Sequence, residues 1–186
     1  MINMRIIAGT ARGRKIEAPS GKNTRPTLDR VRENLFNILQ VRIRSSRILD
    51  LFAGSGALSL EALSRGADYA VMVDHDRNAS RIQRANTEKL GFADRTEFFC
   101  CDWKQALREL RGKSCCFDLI FLDPPYIMTD LRVLFENLTP FLASDGLIVL
   151  EHEAGKEIDT GNCFVKTDER KWGFCAVSFF EHSDVN

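Results

Sequence analysis

Short, continuous apolar runs alternate with helical segments along most of the chain, and this pattern constrains the fold more than any other feature. Such a strand, apolar on both faces, belongs to a parallel sheet that helices cover on both sides. The chain is therefore predicted to be an α/β protein with a doubly wound, mostly parallel sheet. The five predicted strands of this kind are 48–52, 69–73, 96–100, 117–122 and 146–150.

Two of the intervening helices have clear end signals. One is predicted over 57–65 and ends before Gly66, and the other over 77–90 ends before Gly91, because glycine readily caps the carboxyl end of a helix. Asp76 is predicted to cap the amino end of the second helix. These signals fix where the helices leave and rejoin the sheet.

The carboxy-terminal part of the chain breaks the alternation. Two strand-like runs, 163–167 and 174–181, have no helix between them. The polar segment 168–173 is predicted to join them, which indicates an antiparallel pair at one edge of the sheet.

The amino-terminal segment differs from the rest in charge. Residues 1–47 hold eleven Lys and Arg against three Asp and Glu, and the remainder holds fifteen against twenty-three. The runs 5–8 and 15–18 flank a turn and predict a hairpin with arginines at its tip. We therefore divide the chain into a basic hairpin arm, 1–25, and a larger domain, 26–186. An arm of this charge favours a polyanionic partner, with a solvated charged surface as the alternative.

A glycine-containing loop, DLFAGSG (50–56), joins the first core strand to a helix. Glycines allow close approach of a ligand, and the helix amino end offers free N–H groups. A dinucleotide fingerprint would require glycine in place of Ser59, and the Gly-Lys-Ser/Thr of a P-loop is absent. The Asp50 carboxylate would repel a pyrophosphate but suits the amino group of an amino acid, although it can also cap a turn.

Two later acidic residues follow the next strands. Asp74 lies 20 residues beyond Gly54, which is the spacing of a carboxylate that binds ribose hydroxyls. An adenosine that carries an amino acid instead of phosphates is S-adenosyl-L-methionine. Asp102 is placed to accept the adenine amino group, with Trp103 or Cys101 against the ring. A helix cap is the structural alternative for both acidic residues.

The fourth core strand ends in Asp123-Pro124-Pro125-Tyr126. Two prolines stop the hydrogen-bond ladder and stiffen the loop, which leaves the Asp123 carboxylate and the Pro124 carbonyl as acceptors. An exocyclic amine has two N–H groups for such acceptors, and Tyr126 offers a face on which a base stacks. The motif alone also fits a rigid turn, but its order after the glycine loop favours transfer of a methyl group to a base amine.

Four stretches carry a resemblance to a known family: MRIIAGTARGRK (4–15), RPTLDRVRE (25–33), LDLFAGSGAL (49–58) and FLDPPY (121–126). The chain resembles the RsmD-type 16S rRNA (guanine-N2)-methyltransferase family along nearly its whole length. The last two stretches occur in many amino-methyltransferases, whereas the first two are specific to this family.

The resemblance implies a Rossmann-like class I methyltransferase fold, with seven strands and an antiparallel last strand. It implies methylation of one guanine N2 in 16S rRNA, within the small ribosomal subunit or its assembly intermediate. The implied catalytic residues are Asp123, Pro124, Pro125 and Tyr126. From the resemblance and the positions at the strand ends together, the predicted cofactor-binding residues are Asp50, Phe52, Ala53, Gly54, Ser55, Gly56, Asp74, Cys101, Asp102 and Trp103. The implied RNA-binding residues are Arg12, Arg14, Lys15 and Arg25.

Two other functions remain open at this point. A DNA adenine-N6 methyltransferase has the same acidic-Pro-Pro-aromatic motif, but reading a DNA sequence normally requires a further recognition domain, for which 186 residues leave little room. A non-catalytic RNA-binding assembly factor with the same fold is the other alternative, although a binding module needs neither Asp123 nor the glycine loop.

The six cysteines show no zinc-binding spacing. We expect free, buried thiols, no metal and a reducing, cytoplasmic location. No run approaches the roughly 20 apolar residues of a membrane span, so no membrane partner is expected, and we expect a monomer.

Overall fold

A computed structural model describes residues 4–18, 26–113, 115–125, 127–128 and 130–183. The strands are β1 (Met4–Arg5), β2 (Lys15–Ile16), β3 (Arg47–Asp50), β4 (Tyr69–Val73), β5 (Thr96–Phe99), β6 (Phe117–Leu122), β7 (Leu142–Glu153), β8 (Phe164–Trp172) and β9 (Cys175–His182). The helices are α1 (Pro26–Ile38), α2 (Gln40–Ile43), α3 (Ala57–Ser64), α4 (Arg77–Leu90), α5 (Trp103–Arg111) and α6 (Leu131–Leu138).

Seven of the strands form one sheet in the order β5-β4-β3-β6-β7-β9-β8. Strands β3 to β7 of this sheet are parallel, and β9 runs antiparallel to both β7 and β8. The predicted mostly parallel sheet with an antiparallel last strand is confirmed. The strand order reverses between β3 and β6, and a doubly wound sheet binds ligands outside the carboxyl ends of its strands at such a point.

The strands alternate their side chains between two apolar layers. Ile48, Leu119 and Phe121 pack in the layer that contains α3, while Leu49 and Ile120 pack against α5 and α6. Both faces of β3 and β6 are therefore buried, which explains why the central residues of these strands are apolar.

The edge strand β8 is longer than the sequence predicted. Residues 168–172, which we expected to connect two strands, continue β8, and the turn falls at Gly173 and Phe174. Charged side chains fit here because an edge strand faces solvent. Glu169 lies within 3.0 Å of both Lys166 and Lys171, so the charges of the polar run are paired.

The cysteines also differ in part from the prediction. All six are free, as expected, but none of them is buried. Cys100 directly follows β5 and Cys116 directly precedes β6, and both are exposed because the sheet has ended or not yet begun there.

The hairpin β1–β2 packs against α3 through a buried polar network. The Glu61 carboxylate, fully buried, accepts the backbone N–H groups of Ile7 at 2.8 Å and Ala8 at 3.0 Å. The Ser64 hydroxyl donates to the Ala8 carbonyl at 2.6 Å. Gly9 has φ 83°, and a Cβ there would lie 1.9 Å from the Ser64 carbonyl oxygen. Only glycine allows this approach of hairpin and helix.

We expect Glu61→Ala to lower the free energy of unfolding by about 3 kcal/mol, because two part-buried N–H groups and Arg65 lose their acceptor. Urea denaturation measures the loss, and hydrogen exchange should show reduced protection of the Ile7 and Ala8 amides. Glu88→Ala, on the exposed side of α4, is the matched control and should stay within about 0.5 kcal/mol. Equal losses in the two variants would contradict this role of Glu61.

Candidate functional site

The loop between β3 and α3 is held in a single shape by the helix next to it. Gly54 and Gly56 have φ of 54° and 80°. The amide of Gln83 donates to the Gly54 carbonyl at 3.0 Å, and the amide of Asn86 donates to the Ser55 carbonyl at 3.1 Å. Because both amides come from α4, this helix holds the backbone of the glycine loop in place.

Asp74 follows β4 and reinforces the same loop. Its Oδ2 accepts the Gly54 N–H at 2.8 Å, and its Oδ1 accepts the Asp76 N–H at 2.9 Å. An ionised carboxylate has about four acceptor positions, so Asp74 retains capacity for a further donor such as a hydroxyl. Asp76 caps α4 as predicted, accepting the Asn78 N–H at 2.8 Å.

These elements enclose a cleft of about 820 Å³ at the carboxyl edge of the sheet, which we call the large cleft. It contains Phe52 and Gly54 from the glycine loop and Asp74 after β4. Nine residues of the predicted catalytic and cofactor-binding sets line it, namely Phe52, Gly54, Asp74, Cys101, Asp102, Trp103, Asp123, Pro124 and Pro125.

Asp102 serves as a helix cap in this structure. Its Oδ1 accepts the N–H groups of Lys104 at 2.9 Å and Gln105 at 3.1 Å, at the start of α5. Trp103 and Cys101 stand on either side of it in the chain and line the large cleft. Burial raises the pKa of the Cys101 thiol, so this side chain presents an uncharged surface to the cleft.

Asp123, Pro124 and Pro125 follow β6 directly, and Tyr126 lies outside the described residues. Asp123 lines the large cleft and also a second cavity of about 150 Å³, which we call the small pocket. Phe52 and Gly54 likewise border both cavities. The two cavities therefore meet at Asp123.

The small pocket combines apolar walls with several charged groups. Asp50, Asp123 and Glu151 line it together with Arg32, and Val31 and Leu35 of α1 are among its apolar residues. Asp50, Ala53 and Ser55, predicted as cofactor-binding, border this pocket rather than the large cleft, and Gly56 borders neither.

Asp50 is almost completely buried, with 1% of its surface exposed. Burial raises the pKa of its carboxyl from 3.8 to about 7, and the negative charges of Asp123 and Asp74 add to the rise. The hydroxyl of Ser59, which donates to Oδ2 at 2.9 Å, opposes it. Asp50 thus changes its charge near neutral pH, and a nearby cation would favour its ionised form.

The model of a protein family described as "Conserved hypothetical protein 95" matches residues 4–181. The chain belongs to this family. Relatives in it are methyltransferases: ribosomal RNA small subunit methyltransferase D of Escherichia coli is 39% identical, over 84% of this chain and 78% of its own length. The enzyme of the same name from Haemophilus influenzae is 33% identical, over 96% and 94%. The predicted resemblance to RsmD-type enzymes is confirmed.

Solved structures of family members have the same fold. YhhF of Escherichia coli superposes with a TM-score of 0.82 at 34% identity, covering 97% of this chain and 98% of that one. The hypothetical protein TTHA0928 of Thermus thermophilus gives 0.80 at 33% identity, over 96% and 99%. The class I methyltransferase fold predicted for this family member is confirmed.

The arm residues predicted to bind RNA have different surroundings. Arg12 and Lys15 are exposed. Arg14 donates to the carbonyls of Leu90, at 3.3 Å, and of Lys89, at the carboxyl end of α4, where a cation is favourable. Arg25 lies outside the described residues.

Sequence reasoning missed two charged residues of the small pocket. Arg32 of α1 is 5% exposed, and it donates to the Arg5 carbonyl at 2.6 Å. Glu151 stands at the carboxyl end of β7, next to β6 in the sheet. An acidic residue directly after the apolar run 146–150 was the available signal for it.

In the described part of the chain, no helix is both long and apolar enough to cross a membrane. Among the same residues, no group of three or more His, Cys, Asp or Glu side chains is arranged to hold a metal ion.

We expect Asp50→Asn to change how stability depends on pH. The folded pKa of about 7 exceeds the ordinary 3.8, so the stabilising contribution of the wild-type carboxyl is fully present below about pH 4. It is lost as the pH rises through 7, at up to about 1.4 kcal/mol per pH unit. The stability of Asp50→Asn relative to wild type should therefore increase between pH 5 and 7 and level off above pH 8.

Urea denaturation across this pH range provides the measurement. Asp145→Asn, at an exposed site, is the control and should follow the wild type at every pH. A pH-independent difference for Asp50→Asn would show that the carboxyl ionises normally.

Proposed function

We propose that this chain transfers a methyl group from S-adenosyl-L-methionine to N2 of a guanine in 16S rRNA of the small ribosomal subunit or its assembly intermediate. The observation that carries the proposal is the meeting of the large cleft and the small pocket at Asp123. Relatives named ribosomal RNA small subunit methyltransferase D support the rRNA substrate.

The residues of the large cleft fit the cofactor by their chemistry. Asp74 has acceptor capacity for ribose hydroxyls, and Trp103 and Cys101 offer uncharged surfaces for the adenine. Asp50 borders the small pocket, and its pKa is raised. A positively charged amino group of the cofactor would stabilise the ionised form of this carboxyl. When bound, the cofactor supplies a methyl group on a sulfonium, which is activated for attack by a nitrogen lone pair.

The chain's own contribution to the reaction is to position the amine. The Asp123 carboxylate and the Pro124 carbonyl accept the two N–H groups, which turns the nitrogen lone pair away from the aromatic ring. Asp123 also stabilises the positive charge that develops on nitrogen during transfer. The stiff Pro124-Pro125 segment keeps both acceptors in place, so the rate enhancement comes from position and electrostatics.

The carboxylate of Glu151, which lines the small pocket together with Asp123, supports guanine as the base. Guanine presents two adjacent donors, N1–H and the N2 amine, whereas adenine presents an amine next to the N1 lone pair. Glu151 beside Asp123 therefore favours the guanine edge and repels the adenine edge. Burial, together with the negative charge of Glu151, raises the pKa of the Cys175 thiol to about 12, so this thiol stays protonated.

We expect Asp123→Asn to lower kcat by about 10²–10³-fold, because the variant loses the charge that faces the amine. Binding of S-adenosylhomocysteine, measured by calorimetry, should change less than about threefold. Methylation is measured on small subunits from a strain that lacks this gene, with nucleosides identified by mass spectrometry. Asp145→Asn is the control for the loss of one charge, and wild-type turnover of Asp123→Asn would refute the mechanism.

We expect Glu151→Gln to lower kcat/KM for guanine by about tenfold, because a charged acceptor for N1–H becomes a neutral amide. The product on wild-type enzyme should be N2-methylguanosine; N6-methyladenosine would instead support an adenine methyltransferase. Glu153→Gln lies two residues further along β7, is exposed, and should leave the kinetics unchanged. Equal kinetics for the two variants would remove Glu151 from base selection.

A further inference from the structure

A third cavity lies between the hairpin and α1. It has a volume of about 540 Å³, and we call it the arginine cleft. Arg5 of β1, Arg12 of the hairpin turn and Arg30 of α1 line it, and Glu33 is its one acidic residue among those described. The cleft therefore concentrates positive charge on a chain whose formal net charge is zero.

These three guanidinium groups have no structural task, unlike those of Arg14, Arg32 and Arg95. Arg14, Arg32 and Arg95 each donate to a backbone carbonyl of the protein. In the part of the chain that the structure describes, the guanidinium groups of the arginine cleft have neither a hydrogen bond to the protein nor an ion pair. All three side chains are exposed. Like charges held together in this way repel one another, and an anionic ligand relieves the repulsion.

The arginine cleft and the small pocket lie on opposite sides of the same two elements. Along β1, Met4 borders the small pocket and Arg5 borders the arginine cleft, as the alternation of a strand requires. On α1, Arg32 faces the small pocket while Arg30 faces the arginine cleft. The bond from Arg32 to the Arg5 carbonyl joins the two elements. Only one strand and one helix therefore separate the cleft from the pocket.

The lining of the arginine cleft indicates which part of a nucleic acid it takes. Its described apolar residues are Ile6 and Ile7, and no aromatic side chain among them is available to stack a base. Arginine forks match phosphate oxygens in geometry and charge. The cleft is thus built for backbone phosphates and not for bases.

We infer that Arg5, Arg12 and Arg30 form a binding site for RNA backbone phosphates that flank the base held in the small pocket. This inference rests on the proposed function and extends it, since it names the residues that fix the register of the strand. Arg14 is not part of this site, because its guanidinium group caps α4.

The test compares two double variants of equal charge. Arg12→Gln/Arg30→Gln removes two cleft cations, and Arg108→Gln/Arg111→Gln removes two exposed cations from α5, on the other face of the sheet. The probe is the small ribosomal subunit from a strain that lacks this gene. Binding is measured over a range of salt concentrations, together with methylation kinetics and S-adenosylhomocysteine affinity.

We expect the cleft variant to bind the subunit more weakly, on the order of tenfold for each arginine lost. The slope of log K against log salt should decrease by about 2, close to one for each lost phosphate contact. Its S-adenosylhomocysteine affinity should equal that of wild type, which shows an intact fold. The control variant, Arg108→Gln/Arg111→Gln, should bind the subunit with an affinity and a salt dependence close to those of wild type.

The outcomes separate this inference from the proposed function. If both double variants behave alike while wild type methylates guanine, the arginine cleft is refuted and the proposed function stands. If the cleft variant alone loses affinity and salt dependence but wild type transfers no methyl group, the phosphate site stands and the proposed activity fails. A wild-type protein that does not bind the subunit would overturn both.

Discussion

Asp50 lies opposite Phe121 in the parallel pairing of β3 with β6, so the glycine loop and the Asp123 loop leave the sheet from adjacent strand ends. Asp74 leaves from β4 on the other side of β3. Backbone pairing thus forces three carboxylates into one region, against their mutual repulsion. Asp50 is the most buried of them, and its pKa rises to about 7 chiefly through burial, with the charges of Asp123 and Asp74 adding to the rise. A cationic ligand is the natural complement of this arrangement, and the rest of the site is built around it.

Much of the fold follows from the sequence because the signals are local. The bounds of β4 and β6 and the caps Asp76 and Gly91 agree with the predictions, since each depends on the apolar character or backbone geometry of a few neighbouring residues. The polar segment of β8 was not predictable in this way. Its strand conformation depends on pairing with β9 and on ion pairs across the edge, both of which are tertiary.

The residues of the candidate site show the same contrast between local and tertiary signals. Residues in motifs, such as Phe52, Asp74 and Asp123, were identified because their positions at strand ends follow from topology. Arg32 and Glu151 were not, since a charged residue on a helix or at a strand end is ordinarily solvated. Arg32 is buried and Glu151 half-buried because α1 and β7 both border the small pocket, a tertiary arrangement that no periodicity reveals. Arg14, which the resemblance places among the RNA-binding residues, also bonds to the carboxyl end of α4, and that contact is likewise tertiary.

Asn86 connects two regions that are far apart along the chain, the glycine loop and the hairpin arm. Its amide donates to Ser55 of the glycine loop, and it exchanges hydrogen bonds with the backbone of Glu17 in the hairpin arm. Together with Glu61, it makes the arm a structural partner of the loop rather than a removable extension. Grafting an arm from another family member onto this chain would therefore require α3 and α4 to be exchanged with it, so the arm and these two helices form one structural unit.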